Sequence, residues 1–280
     1  MKDYLKSAWD EENPEHVSVV DELPLWSAPF GLRLLDRVAW RRGIRALDLG
    51  CGTGFPLVEL AERLGRSSMV YGVDPWERAL ERCEQKLGTH RIHNVRAMPA
   101  RGEELPFPDD FFDLIVSNNG INNVADLDRT ILECGRVARP GAQALFSMNT
   151  DETFREFYAL FREALEEAGR KDAVPRVKEH IRLKRPLVAE VWRRIEGAGF
   201  LVTEIVEDGF KIRFADGGTM LRHHFIRYWF VPAWSAIPGS RDADRVFTLV
   251  EAKLDAVAER DGCVELSVPF VVFDCRYAGR

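Results

Sequence analysis

A glycine-rich turn, Asp48-Leu49-Gly50-Cys51-Gly52-Thr53-Gly54, stands between a short apolar run, IRALDL, and a stretch with Leu57, Leu60, Ala61 and Leu64 at helical spacing. Strand, glycine turn and helix in that order constrain the fold more than any other feature, because they open a βαβ unit. Glycine reaches positive φ and lets a ligand approach the backbone, while the following helix presents unpaired N–H groups.

The pattern then repeats. MVYGVD reads as a strand and PWERALERCEQKLG as a helix that starts near Pro75 and stops at Gly88. Strand HNVRAM, loop ARGEELPFPDD, strand FDLIVS, helix DLDRTILECGRVA, turn RPGA and strand ALFSMN follow. Alternation at this spacing predicts an α/β fold with a mostly parallel sheet, whose ligands bind outside the carboxyl ends of the strands. Upstream, Leu32, Leu35, Val38 and Ala39 mark one face of an amphipathic helix.

The second half is less regular. TFREFYALFREALEEAG carries an aromatic face of Phe154, Phe157, Tyr158, Phe161 and Leu165, and LVAEVWRRIEGAGF is a helix ending at Gly199. LVTEIVEDGFKIRF and CVELSVPFVVFDCR are strands, and residues 214–262 between them are too long and apolar for a hairpin loop. The division expected is a helical cap over 1–43, a ligand-binding core over 44–149, and a helical insertion over 150–186. The core sheet is completed by 187–213 and 263–280, around a second helical insertion over 214–262.

The 280 residues hold 46% hydrophobic and 30% charged side chains, so a large core is available. A net charge of −6 argues against nucleic acid as a partner. No apolar stretch is long enough to span a bilayer, and the acidic MKDYLKSAWDEENPEH is unlike a signal peptide, so a cytoplasmic location is expected. Cys51, Cys83, Cys134, Cys263 and Cys275 form no C-x-x-C pair and read as reduced, mostly buried thiols, with no metal site expected.

Two ligand classes use such a turn. A dinucleotide needs G-x-G-x-x-G, and counted from Gly50 the third glycine position is Phe55, which disfavours a nicotinamide oxidoreductase. Asp74 closes the second strand roughly 20 residues on, where a carboxylate accepts both hydroxyls of a ribose. As a residue it also reads as a helix N-cap ahead of Pro75, and the two roles coexist.

These segments together resemble the class I S-adenosylmethionine-dependent methyltransferases, in particular the small-molecule group that includes the ubiquinone and menaquinone C-methyltransferases. LDLGCGTG resembles the first motif of that family, VYGVDPW the second, EELPFPDDFFDLIVSN the third and fourth, and RVARPGA the turn before the fifth strand. The resemblance implies a Rossmann-like, seven-stranded, mostly parallel sheet with an antiparallel last strand and helical lid insertions. It implies S-adenosyl-L-methionine as cofactor and S-adenosyl-L-homocysteine as product. Gly50 and Gly52 would pass under the methionine part, with Asp48 toward its amino group, Asp74 on the ribose and Trp76 against the adenine. Gly102 and Glu103 match the loop at the adenine edge, and Asn118 and Asn119 lie beside the methionine and the substrate. Cys51 in the turn and Trp26 in the N-terminal stretch complete the set of cofactor positions. Many relatives carry G-D-A before the adenine loop, where this chain has Ala100, Arg101 and Gly102. Arginine cannot accept the adenine amino proton, so Glu103 or a backbone carbonyl replaces it, or Arg101 stacks on the ring.

Transfer from a sulfonium is an in-line displacement in which the protein positions the nucleophile and excludes water. Where the acceptor is a weak acid a base helps, and His223, His224 and Tyr228 in the apolar insertion are the candidates, against a reading as packed residues of a lid helix. Ser117, Asn118, Asn119 and Gly120 do not form the N-P-P-Y clamp used on planar nitrogens, which disfavours DNA-base and amide methylation. Phe214, Phe225, Ile226, Tyr228, Trp229, Phe230 and Trp234 call for an apolar cover, either a substrate cavity or homodimer packing. The expected function is methyl transfer to a small, apolar or aromatic metabolite. The alternative is a cofactor-binding protein without transferase activity, acting as a sensor or assembly partner.

Overall fold

The structure is a computed structural model that describes residues 2–6, 9–23 and 25–279. Seven strands, β1 (Arg45–Leu49), β2 (Met69–Asp74), β3 (Val95–Pro99), β4 (Phe112–Asn118), β5 (Ala138–Asn149), β6 (Phe200–Phe214) and β7 (Val264–Tyr277), form one sheet. The helices are α1 (Pro14–Glu22), α2 (Ser27–Asp36), α3 (Leu57–Leu64), α4 (Glu77–His90), α5 (Leu127–Val137), α6 (Arg155–Glu167), α7 (Val174–Lys184), α8 (Val188–Gly197), α9 (Gly217–Arg222), α10 (His224–Trp229), α11 (Val231–Ala236) and α12 (Ala243–Asp261). Among the described residues no helix is long and apolar enough to cross a membrane.

The strand order is β3-β2-β1-β4-β5-β7-β6. β1 pairs in parallel with β2 and β4, β2 with β3, and β4 with β5, whereas β7 runs antiparallel to β5. The sheet is therefore mostly parallel, as the alternation of strands and helices predicts, with the antiparallel last strand that the resemblance implies. β1 is buried along Ala46–Leu49, as a central strand covered on both faces should be.

The chain divides into two compact units. The first comprises Glu11–Thr150, Pro186–Asp208 and Phe270–Arg280. Its core gathers Leu47, Leu49, Phe112, Ile115, Ile131, Phe146, Ile195 and Phe273, each buried, and burial of such a side chain contributes about 1.5–3 kcal/mol. The second comprises Met1–Asp10, Asp151–Arg185 and Gly209–Pro269. In it α6 buries Phe157, Tyr158, Phe161 and Leu165, the face read from the sequence, and Phe157 stacks on Trp234 of α11 with ring centroids 3.8 Å apart.

Three local expectations are corrected. Leu35 and Val38 are buried as the predicted stripe requires, but Leu32 is 55% exposed and Ala39 is exposed; α2 buries Phe30, Gly31, Leu34 and Leu35 and ends at Asp36, before Val38 and Ala39. α4 runs past Gly88 to His90 and ends at a left-handed Arg91. Arg139-Pro140-Gly141-Ala142 is no turn before β5 but lies within it, at an irregularity where the pairing jumps from Phe112–Ala138 to Leu114–Gln143.

Candidate active site

The glycine turn leaves the carboxyl end of β1 in the first unit. Gly50, Gly52 and Gly54 have φ of 77°, 50° and 108°, a region that L side chains rarely adopt. The amides of Gly50 and Cys51 both donate to the Val73 carbonyl, at 2.8 and 3.1 Å, which staples the turn to the end of β2. A Cβ built on Gly50 would lie 3.3 Å from the Gly120 Cα, whereas one built on Gly52 would meet nothing within 4 Å. The backbone at Gly52 thus borders open space.

Asp74 ties the turn to α4. Its Oδ2 accepts from the Gly52 amide and its Oδ1 from the Trp76 amide, each at 2.8 Å. Burial raises the Asp74 pKa, and those two amides work against the rise. A carboxylate has about four lone-pair sites, so two acceptor positions remain for a ligand.

Asp48 is fully buried within β1, and neither carboxylate oxygen has a hydrogen-bond partner of good geometry. Burial, then repulsion from Asp74, pushes its pKa up to about 8, with the Leu57 amide moderating the rise. A buried carboxyl without a donor costs free energy. The group that satisfies it must bring a cation or a donor.

Asn118 and Asn119 close the other side, at the end of β4. Asn118 donates from Nδ2 to the Ser27 carbonyl at 3.0 Å and accepts from Ser147 Oγ at 3.2 Å. Asn119 holds a left-handed φ of 56°, donates its amide to Ser147 Oγ at 2.9 Å and accepts at Oδ1 from Asn122 Nδ2 at 3.1 Å. The Asn122 Oδ1 is buried without a donor.

The adenine-loop candidates are placed differently from one another. Glu103 Oε1 accepts from the amides of Ala125 and Asp126 at 2.8 and 2.9 Å, so one oxygen of that carboxylate is committed to the loop before α5. Gly102 is buried, and a Cβ there would come 2.8 Å from Thr130 Cγ2, while Arg101 is exposed. The indole N–H of Trp76 donates to the Glu11 carbonyl at 2.9 Å. Trp26 packs on Phe30 at 5.4 Å between centroids. The Cys51 thiol is buried, and burial raises its pKa well above the usual thiol value, so it is no nucleophile at neutral pH.

His223, His224 and Tyr228 belong to the second unit. The two imidazoles lie 4.5 Å apart, and His223 Nδ1 is buried without a partner. Burial lowers both pKa values, with His224 adding to the effect on His223 and Arg227 to that on His224. Both shifts favour the neutral imidazole. Tyr228 Oη accepts from Arg227 Nη2 at 2.6 Å. Among the described residues no group of three or more His, Cys, Asp or Glu side chains is disposed to hold a metal ion.

Residues 47–146 match a family described as "Methyltransferase domain". This segment is similar to a methyltransferase domain. It resembles the class I, S-adenosylmethionine-dependent type, as the motifs imply. The demethylmenaquinone methyltransferase of Geobacillus stearothermophilus is 34% identical over 131 residues, which cover 46% of this chain and 56% of that one. That of Staphylococcus aureus is 33% identical over 132 residues, covering 46% and 54%. The chain thus spans little more than half the length of these relatives. Among solved structures, YcgJ from Bacillus subtilis superposes with a TM-score of 0.59 at 14% identity, over 90% of this chain and 99% of that one. Geranyl diphosphate C-methyltransferase from Streptomyces coelicolor A3(2), solved with S-adenosyl-L-homocysteine, does so with 0.55 at 18%, over 99% and 88%. Those likenesses are of fold.

Two features of the first unit escape sequence reading. The N-terminal segment is laced to α4 through Arg78 on Glu12 at 3.2 Å and Arg82 on Asp21 at 2.9 Å, with Lys86 also on Asp21. The ring of Phe55 lies where a Cβ on Gly31 of α2 would stand, 2.2 Å from its Cε1. Charge pairing along α1 and α4 was the only available signal for the first, and nothing local marks the second.

Proposed function

We propose that this chain transfers a methyl group from S-adenosylmethionine to a small, apolar or aromatic metabolite by in-line displacement. The observation that carries this reading is the orphaned Asp48 carboxyl beneath a turn whose Gly52 borders open space. The residues present fit the cofactor: Asp48 lacks the cation that an amino-acid ammonium supplies, and Asp74 keeps acceptor capacity for a diol. When bound, S-adenosylmethionine supplies an electrophilic methyl group on a sulfonium sulfur.

The protein's own work is to bind and orient. Asp48 pairs with the ammonium, Asp74 accepts from the ribose hydroxyls, and the Gly50–Gly52 backbone admits the ligand without a Cβ in the way. Trp76, anchored through Glu11, offers a flat face to the adenine. We assign the proton-accepting role to His223 or His224, each shifted toward the neutral imidazole, with Tyr228 beside them. Acceptor choice is assigned to the segments 150–186 and 214–262.

Equilibrium titration with S-adenosylmethionine and S-adenosylhomocysteine tests the cofactor, and release of S-adenosylhomocysteine on a metabolite panel tests transfer. Binding of neither ligand, or binding undiminished in Asp74→Ala, overturns the reading. Deletion of residues 216–260 is expected to abolish turnover and spare cofactor binding; loss of both sinks the assignment of acceptor choice to that segment.

A further inference from the structure

Among the described residues, the second unit contains a cation without a counter-charge. Arg185 follows the last turn of α7, and its amide donates to the Ile181 carbonyl at 2.9 Å. Pro186 comes next and biases it away from helix, consistent with its extended φ of −142° and ψ of 91°. The residue is 4% exposed. Among the described residues its one side-chain hydrogen bond runs from Nη1 to Tyr158 Oη at 3.4 Å, with the guanidinium carbon 5.9 Å from the Tyr158 ring centroid. The same hydroxyl already accepts from Trp234 Nε1 at the shorter distance of 3.0 Å.

No carboxylate among the described residues pairs with Arg185. Two half-buried arginines differ: Arg136 holds Glu133 at 2.7 Å and Arg82 holds Asp21 at 2.9 Å. The Tyr158 ring beside Arg185 is itself packed among rings. Trp234 stacks on Phe157 and meets Tyr158 edge-on at 6.1 Å, and His180 lies 6.2 Å from Tyr158. His180 provides no negative charge; burial, then Arg185 and Lys184, lower its pKa to about 4. A charge this little exposed is costly unless paired, and a carboxylate ligand would relieve that cost.

We infer that Arg185, backed by Tyr158 and Trp234, anchors a binding site for a small organic carboxylate with an apolar body. A guanidinium presents parallel donors that match a carboxylate in a bidentate pair. The surrounding aromatic rings favour an apolar body over a compact, strongly hydrated anion. Every residue invoked lies in one unit, and the inference stands whether or not methyl transfer does.

The test uses the full chain without cofactor, and its probes are benzoate, the neutral isostere benzamide and inorganic phosphate. Benzoate is expected to raise the melting temperature saturably, benzamide to leave it unchanged, and phosphate to act only at higher concentration. Arg185→Met is expected to abolish the benzoate response while its unliganded melting temperature stays level or rises, which a purely structural arginine would not permit. Arg185→Lys keeps the charge and loses the fork, so its benzoate affinity should fall tenfold or more with an unchanged circular dichroism spectrum. The proposal is overturned by no response to benzoate, by an equal response to benzamide, or by phosphate saturating first. A benzoate affinity in Arg185→Lys equal to that of the parent chain overturns it too, even if Arg185→Met does not fold.

Discussion

The Gly52 amide donates to Oδ2 of Asp74 at 2.8 Å, and the opposite oxygen of that carboxylate takes the Trp76 amide at the same distance. One side chain therefore sets both the glycine turn and the start of α4. Asp74→Asn keeps an oxygen for one amide but turns the other acceptor into a donor facing an N–H. A loss of about 1.5–3 kcal/mol in folding stability is expected, since hydrogen bonds to charged groups are worth that much. Cofactor affinity should fall about ten- to hundredfold by the same argument. Chemical denaturation and equilibrium titration read the two effects separately.

Asp48 makes stability depend on pH in the direction opposite to an ion-paired carboxylate. Folding raises its pKa from 3.8 to about 8, so the folded chain holds the proton more tightly than the unfolded one. Its contribution is fully present below the unfolded value and is lost as pH rises through the folded one. Asp48→Asn removes the titration. Thermal melts between about pH 5 and pH 9 should show the parent chain losing stability relative to Asp48→Asn as pH rises. Cofactor binding should release a proton near neutral pH, detectable as a buffer-dependent heat, and Asp48→Asn should abolish that release.

Gly31 and Phe55 form a contact that only glycine allows. A Cβ on Gly31 would stand 2.2 and 2.6 Å from Cε1 and Cζ of Phe55 and 3.0 Å from Nδ2 of Asn118. Gly31→Ala should cost about 1–3 kcal/mol by overpacking, although alanine is the better helix former. Phe55→Ala removes the obstructing ring, so Gly31→Ala should be far milder in that background. Equal costs in both backgrounds, measured by urea denaturation, would remove Phe55 as the cause.

These contacts show what a sequence exposes. Asp48, Gly50, Gly52 and Asp74 are legible because strand, turn and strand end are local patterns, and their register follows from the order of elements. The stripe on α2 was only partly legible: Leu35 and Val38 are buried as read, but Leu32 is as apolar as Leu34, and only the packing of the folded chain leaves the first exposed and the second buried. Glu103 shows what position alone does not reveal: the amides of Ala125 and Asp126 occupy one of its oxygens. The unpaired state of Arg185 is the least legible of all, since it depends on which carboxylates the whole fold keeps away.

The histidine pair gives the last prediction its sign. Burial lowers the pKa of both His223 and His224 below the usual 6.5, and the second contributions come from His224 and from Arg227. A base must be unprotonated to act, so the acidic limb of kcat should fall below pH 6.5 rather than at it. Replacing the base removes a step made only in turnover. His223→Asn or His224→Asn, whichever residue acts, should lower kcat about 10²- to 10⁴-fold and leave the dissociation constant of S-adenosylmethionine unchanged. If both variants keep the parental kcat and its acidic limb, the residues pack the second unit and take no part in the chemistry.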